Sequence, residues 1–171
     1  NVGDGDCSII ERPKSGRHTV IDICCGNRKT EESAFLKAAE LFEGAEERPR
    51  GNFNQKSTPT NPIDYIRKIG IESIFRFILT HPDMDHMDGI KSLFEKCTVY
   101  NFWDSGVRRQ EPLFESGKYS KDDWEFYKSL INKKIPNVEI ISPKAGEKGK
   151  FWSHDEAGDS DGGDFLSIIS P

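Results

Sequence analysis

The sequence predicts an α/β (α+β) domain in which short strands alternate with helices. Three observations carry this. Runs rich in β-branched and aromatic residues recur between Gly, Pro and Asn punctuation, residues 74–80 (IFRFILT) being the clearest. Between these runs lie stretches with apolar residues at helical spacing. The length of 171 residues, with 11% aromatics, suffices for a single core although 31% of residues are charged.

The elements follow in order. Residues 7–11 and 19–24 are apolar runs joined by RPKSGRH, whose Pro13 and Gly16 give a hairpin turn. Residues 31–43 carry apolar positions 35, 38, 39 and 42, a helix with Thr30 as cap and Gly44 as stop. Residues 45–60 are polar, contain Pro49, Gly51 and Pro59, and read as a loop. Asn61-Pro62 opens a helix that ends before Gly70 and turns Ile63, Ile66 and Ile69 to the core. Residues 74–80 form a mostly buried strand. From Asp88 to Lys96 helical spacing resumes, with Ile90, Leu93, Phe94 and Cys97 on one face and Met87, Asp88 and Gly89 in the first turn. Residues 99–103 are a strand. Ser120 and Asp123 make a capping-box-like start for a helix with apolar Trp124, Tyr127, Leu130 and Ile131. Residues 138–142 and 165–170 are further strands.

Composition narrows the function classes. A net charge of −5 is not that of a nucleic-acid coat, although a local basic patch or bound metal could still bring nucleic acid to the chain. Cys7, Cys24, Cys25 and Cys97 form no CxxC pair and read as buried, reduced thiols, which points to a cytoplasmic setting. No stretch is long and apolar enough to span a membrane, and no membrane contact is expected of this segment. Asn1 opens on a strand already under way and Pro171 follows directly on another. The expectation is one domain over 1–171, truncated at both ends.

The chemistry concentrates in FILTHPDMDHMDGI, residues 77–90. His81, Asp83, Asp85 and His86 fall within six positions at the mouth of a buried strand, where Pro82 turns the chain out of strand geometry. Imidazole and carboxylate are the donors a divalent cation takes at neutral pH. Four readings compete. The plainest is a solvated loop whose carboxylates, Asp85 and Asp88, favour a helix N-terminus. A calcium loop would need a different spacing of Asp and Gly. A mononuclear iron site would use His81, Asp83 and a distant His154, but belongs to an all-β barrel. The fourth is a dinuclear metallohydrolase. A serine triad has no support around Ser8, Ser105 or Ser116, and Trp103, Trp124 and Trp152 read as core anchors.

THPDMDHMDGI resembles the HxHxDH signature of the metallo-β-lactamase fold superfamily. With Asp at its second position it is similar to the HxDxDH form of the ComEC-type branch, named for the competence DNA-uptake protein. NVGDGDCSII resembles that branch's opening VGQGD strand and turn. TVIDICCG resembles its next strand ending in Asp, and NPIDYIRKIGIESIFRFILTHPDMDH the helix and strand that lead to the metal loop. VEIISPKAGEKGKF and FLSIISP resemble later strands.

The resemblance implies a four-layer αββα sandwich, of which this chain holds only the N-terminal part. It implies two divalent metal ions, zinc or manganese. His81 and Asp83 would hold one, and Asp85 and His86 the other, with Asp85 the catalytic carboxylate beside the attacking water. Asp22 would orient the metal loop and Asp6 would help shape the cleft. The implied activity is metal-dependent hydrolysis of a phosphodiester, nucleic acid among the candidates. A non-catalytic binding module on the same fold is the alternative. The family's remaining ligands, a Gly-Asp pair and a final His, have no counterpart here except His154, which reads as an exposed histidine. The missing half would come from the same chain or a partner.

Overall fold

The computed structural model describes residues 5–13, 15–25, 60–115, 117–147 and 166. Over these the chain is α/β, with helices packed on one mixed sheet. The elements are β1 (Ser8–Glu11), β2 (His18–Ile21), β3 (Ile23–Cys24), α1 (Pro62–Lys68), β4 (Ser73–Leu79), α2 (Met84–Met87), α3 (Ile90–Lys96), β5 (Thr98–Asp104), α4 (Lys121–Ile131) and β6 (Glu139–Ile141). The five-stranded sheet runs β1-β2-β4-β5-β6. β1 and β2 are the antiparallel hairpin, and β2, β4, β5 and β6 are parallel. The helix expected at 31–43, nearly all of the loop at 45–60 and all but Leu166 of the strand at 165–170 lie outside the described residues.

The register separates two faces. Val20, Phe77 and Phe102 form one row across the sheet and pack with Ile63, Ile66, Ile90, Leu93, Trp124, Tyr127 and Leu130 in the main core. The next row, Ile78, Trp103 and Ile141, builds a second, smaller cluster with Leu166. Arg76 is buried and donates to Thr19 Oγ1 at 2.9 Å, with its guanidinium carbon 5.0 Å from the centre of the Trp103 ring. Burial, then the neighbouring Arg12 and Arg17 charges, lowers its pKa to about 10.

Local chemistry explains α1. Asn61 Oδ1 accepts from the Ile63 amide at 2.9 Å, Pro62 occupies the first turn, and Gly70 supplies a positive φ of 81° beyond the end. Ile63 and Ile66 are buried, but Ile69, expected in the core, is 49% exposed. The helix stops one residue before it, and Ile71 takes the core position instead.

Three further differences all concern how the loop after β4 is held. Residues 19–24 are not one strand: Asp22 adopts φ 54° and splits β2 from β3. Ile23 and Cys24 then bridge to Met87 and Asp88. The helix expected from Asp88 begins only at Ile90, because Asp88 is extended and Gly89 is left-handed at φ 95°. Ser120 makes no side-chain cap bond at the start of α4. The buried Asp123 carboxylate accepts from the Gly89 and Lys91 amides, each at 3.0 Å, and so caps α3.

Among the described residues no helix is long and apolar enough to cross a membrane. All four cysteines are thiols outside any disulfide; Cys24, Cys25 and Cys97 are buried and Cys7 partly so.

Candidate metal centre

Parallel β4 and β5 end side by side, Leu79 opposite Asp104, so the segments that follow them leave the same edge of the sheet. That edge is where open α/β sheets gather their functional loops. His81, Asp83, Asp85 and His86 lie there, and the loop that carries them is pinned from three directions. The Asp22 amide donates to the Ile78 carbonyl at 2.9 Å, and the Cys25 amide to the Asp88 carbonyl at 3.0 Å. The Asp6 amide reaches the Asp85 carbonyl at 3.4 Å. Asp6 thus touches the loop by its backbone, and its residue is exposed. Gly5 passes so close that a Cβ there would fall 2.0 Å from the Asp85 carbonyl oxygen.

The Asp22 side chain, buried, organises the rest. Its Oδ1 accepts from the Thr80 amide at 2.8 Å, and its Oδ2 lies 2.6 Å from Thr80 Oγ1 and 2.9 Å from His86 Nδ1. A carboxylate only accepts, so both partners donate. His86 therefore carries a proton on Nδ1, and in the neutral ring its Nε2 presents a lone pair. Thr80 spends its one hydroxyl proton on Asp22. Its oxygen, 3.0 Å from His81 Nδ1, is then left to accept, which puts the His81 proton on Nδ1 as well. One buried carboxylate thereby sets both imidazoles with Nε2 free, the arrangement in which an outer carboxylate orients a metal-binding histidine.

Those two nitrogens face carboxylate oxygens. His81 Nε2 lies 3.4 Å from Asp83 Oδ2, and His86 Nε2 lies 3.8 Å from Asp85 Oδ2. The two rings are 3.9 Å apart, centre to centre. In each pair an acceptor opposes an acceptor, which favours a cation between them. Two donors ~2.1 Å from one tetrahedral ion are separated by about 3.4 Å, so the first pair is already spaced for zinc or a similar ion. The donor set therefore fits divalent metal in kind and, for His81 and Asp83, in spacing. As they stand, no three His, Cys, Asp or Glu side chains among the described residues gather closely enough to hold an ion. Each pair supplies two donors, and water or substrate would have to supply others.

Asp83 has a second partner. Arg109 Nε donates to its other oxygen, Oδ1, at 2.9 Å. Both side chains are about half exposed, so this pair contributes little to stability, ~0–1 kcal/mol. Arg109 and Thr80 are the site residues that the sequence reading missed. Thr80 directly precedes the cluster at the strand end. Arg109 follows the strand adjacent to β4 in the sheet, which only the strand order reveals. His154, the distant candidate ligand, lies outside the described residues. His18 starts β2, opposite Glu11, in the hairpin.

Comparison with family models, with curated proteins and with solved structures finds no match to this chain.

Proposed function

We propose that this chain is part of a metal-dependent hydrolase, phosphodiesterase- or nuclease-like, of the metallo-β-lactamase type. The observation that carries the proposal is the Asp22 network. A buried carboxylate fixes two adjacent imidazoles so that both Nε2 lone pairs meet carboxylate oxygens. The finer fold belongs to the same proposal: the present sheet and its helices are the N-terminal part of an αββα sandwich.

His81 with Asp83, and Asp85 with His86, would hold two divalent ions, zinc or manganese. When bound, these supply a water ionised near neutral pH and positive charge for the oxygens at phosphorus. The protein residues do the remaining work. Asp22 and Thr80 keep the imidazoles in one tautomer and one orientation. Asp85, on the first turn of α2, offers its carboxylate to accept a proton from the nucleophilic water and to aim it. Arg109 restrains Asp83 from the side away from His81.

A second reading keeps the fold without the chemistry: a binding module in which Arg109, rather than an ion, balances Asp83. The Arg109–Asp83 pair, and the lack of any three-donor group among the described residues, favour it. Metal analysis of the full-length protein, with phosphodiester turnover measured in manganese and in zinc, separates the two. The hydrolase binds metal and turns over. Asp85→Ala then abolishes turnover while the metal-free protein loses no more than about 1 kcal/mol of stability, the scale of a helix-end carboxylate. Wild type without metal or turnover rejects the hydrolase, and turnover that persists undiminished in Asp85→Ala removes the role given to that residue.

A further inference from the structure

A groove of about 600 Å³ opens beside the metal loop, lined by Asp83, Met84, Arg109, Pro112, Leu113 and Tyr119. Its size lies within the roughly 300–1,000 Å³ of small-molecule sites. Its chemistry is divided. At the end nearest His81, Arg109 uses Nε on Asp83 Oδ1, which leaves its terminal amino groups for another acceptor. The rest offers Met84, two prolines, the Tyr119 ring, the amide of Gln110 and Leu113, which is 84% exposed, an unusual degree for a leucine lining a concave surface. A second cation, Lys118 Nζ, sits 4.9 Å from the centre of the Tyr119 ring.

The chain around Arg109 is anchored. Arg108 forms a two-point ion pair with the buried Asp104 at the end of β5, Nη1 to Oδ1 at 3.0 Å and Nη2 to Oδ2 at 2.8 Å. This paired geometry fixes direction as well as distance. It sets the backbone at 108, so that the next residue projects toward the loop after β4.

We propose that this groove is the substrate subsite. The terminal amino groups of Arg109 bind the phosphoryl oxygens, and Met84, Pro112, Leu113 and Tyr119 seat a flat, apolar ester arm such as an aryl group or a nucleobase. The assignment rests on the hydrolase reading for its place beside the reacting phosphorus, but the binding chemistry is the groove's own. Planar guanidinium matches two phosphoryl oxygens at once, which a lysine cannot do. Stacking on tyrosine and contact with leucine select a flat substituent without reading its identity. The ligand class is a phosphate ester anion with a flat arm, as opposed to inorganic phosphate or an alkyl ester.

The test is calorimetric titration of the full-length protein with phenylphosphonate, methylphosphonate and inorganic phosphate, with manganese and again without it. Wild type should bind phenylphosphonate at least tenfold more tightly than the other two. Arg109→Ala should weaken all three about tenfold or more, and Arg109→Lys should recover only part of that. Leu113→Ser, which removes the apolar contact without adding charge, should weaken phenylphosphonate alone. Both side chains are at the surface, so these variants should fold. Adenosine 5′-monophosphate, run in parallel with phenylphosphonate, tells a nucleobase arm from a simple aryl arm. Equal affinity of wild type for phenylphosphonate and phosphate, or no loss in Arg109→Ala, overturns the subsite. If the groove variants act as expected but the protein neither binds metal nor turns over, the subsite stands and the hydrolase falls. If turnover depends on Asp85 but not on Arg109 or Leu113, the hydrolase stands and the subsite falls.

Discussion

Replacing Asp22 by Asn exchanges a single oxygen for an amino group and should reset the protons of the whole loop. Asp22 receives three hydrogen bonds: from the Thr80 amide, the Thr80 hydroxyl and His86 Nδ1. Hydrogen bonds to charged groups contribute about 1.5–3 kcal/mol each, but Thr80 is exposed, so water can replace part of the loss there. Asp22→Ala should therefore cost about 3–4 kcal/mol, nearer the figure for one broken buried pair than a sum of three. For a chain of this size that is a fall in Tm of about 8–14 °C. Asn preserves the volume, and like Asp it tolerates the left-handed φ of 54°, so Asp22→Asn should cost only about 1–2 kcal/mol. Its larger effect is on protons. The amide nitrogen at the Oδ2 position now donates, so His86 Nδ1 must accept, and the ring proton moves to Nε2. A protonated Nε2 has no lone pair for an ion, and metal affinity should fall about 10–100-fold, as it does when an outer-shell partner is lost. Long-range ¹H–¹⁵N correlation spectra read the His86 tautomer, and manganese titration reads the affinity. A His86 ring that keeps its Nδ1 proton in Asp22→Asn, with unchanged metal affinity, refutes the relay.

Three other outcomes are expected. Asp123→Ala should cost about 2–3 kcal/mol in urea denaturation, because two amides of α3 lose a buried partner, while Ser120→Ala should change stability by less than about 0.5 kcal/mol. Gly89→Ala should cost ~2–3 kcal/mol by the same assay: φ is 95°, and the new Cβ would lie 2.2 Å from Cys25 Sγ. Burial, and then the Asp22 carboxylate and Cys24, push the Cys7 thiol up from 9.0 to about 12. It should stay protonated and slow toward iodoacetamide at about pH 8 in the folded chain, reacting at a normal rate in urea. Because the folded pKa is the higher one, the stability this group contributes is present below pH 9 and is lost as pH rises through about 12. A Cys7→Ser variant should flatten that alkaline loss.

The features legible in the sequence are the local ones. Asn61, Pro62 and Gly70 each act within a few residues of themselves, so α1 could be bounded from the string alone. The β1–β2 hairpin and buried β4 are equally local, through turn chemistry and residue type. The spacing of His81, Asp83, Asp85 and His86 marks the candidate site for the same reason. The misreadings involve partners far along the chain. Asp123 sits three residues after Ser120, as a capping box requires, yet its carboxylate serves amides 32 and 34 positions earlier. Residues 19–24 look like one strand, and only the loop 58 positions later explains why the chain kinks at Asp22. Arg109 carries no signal of its own; its relation to Asp83 needs β5 to lie beside β4. Ile69 followed the helical period correctly, but the helix had already ended.

The same long-range contacts weigh on the plainest reading of the loop, in which its carboxylates only cap helices. Asp83 stands at the N-cap of α2 and makes no side-chain cap bond. Asp88 is extended, and α3 takes its cap from Asp123. Asp85 lies in the first turn of a four-residue helix, whose dipole is too small to offset the crowding of three carboxylates and two imidazoles. Asp83 thus leaves the cap of α2 unfilled, and the first amides of α3 are served by Asp123 from another element. Meanwhile Asp22, Cys24, Cys25 and Asp6 fix the backbone on both sides of positions 81–85, where the functional groups themselves remain accessible: the side chains of His81, Asp83 and Asp85 are 31%, 42% and 38% exposed. On the metal reading proposed above, this frame would hold the geometry of the two pairs ready before a cation arrives.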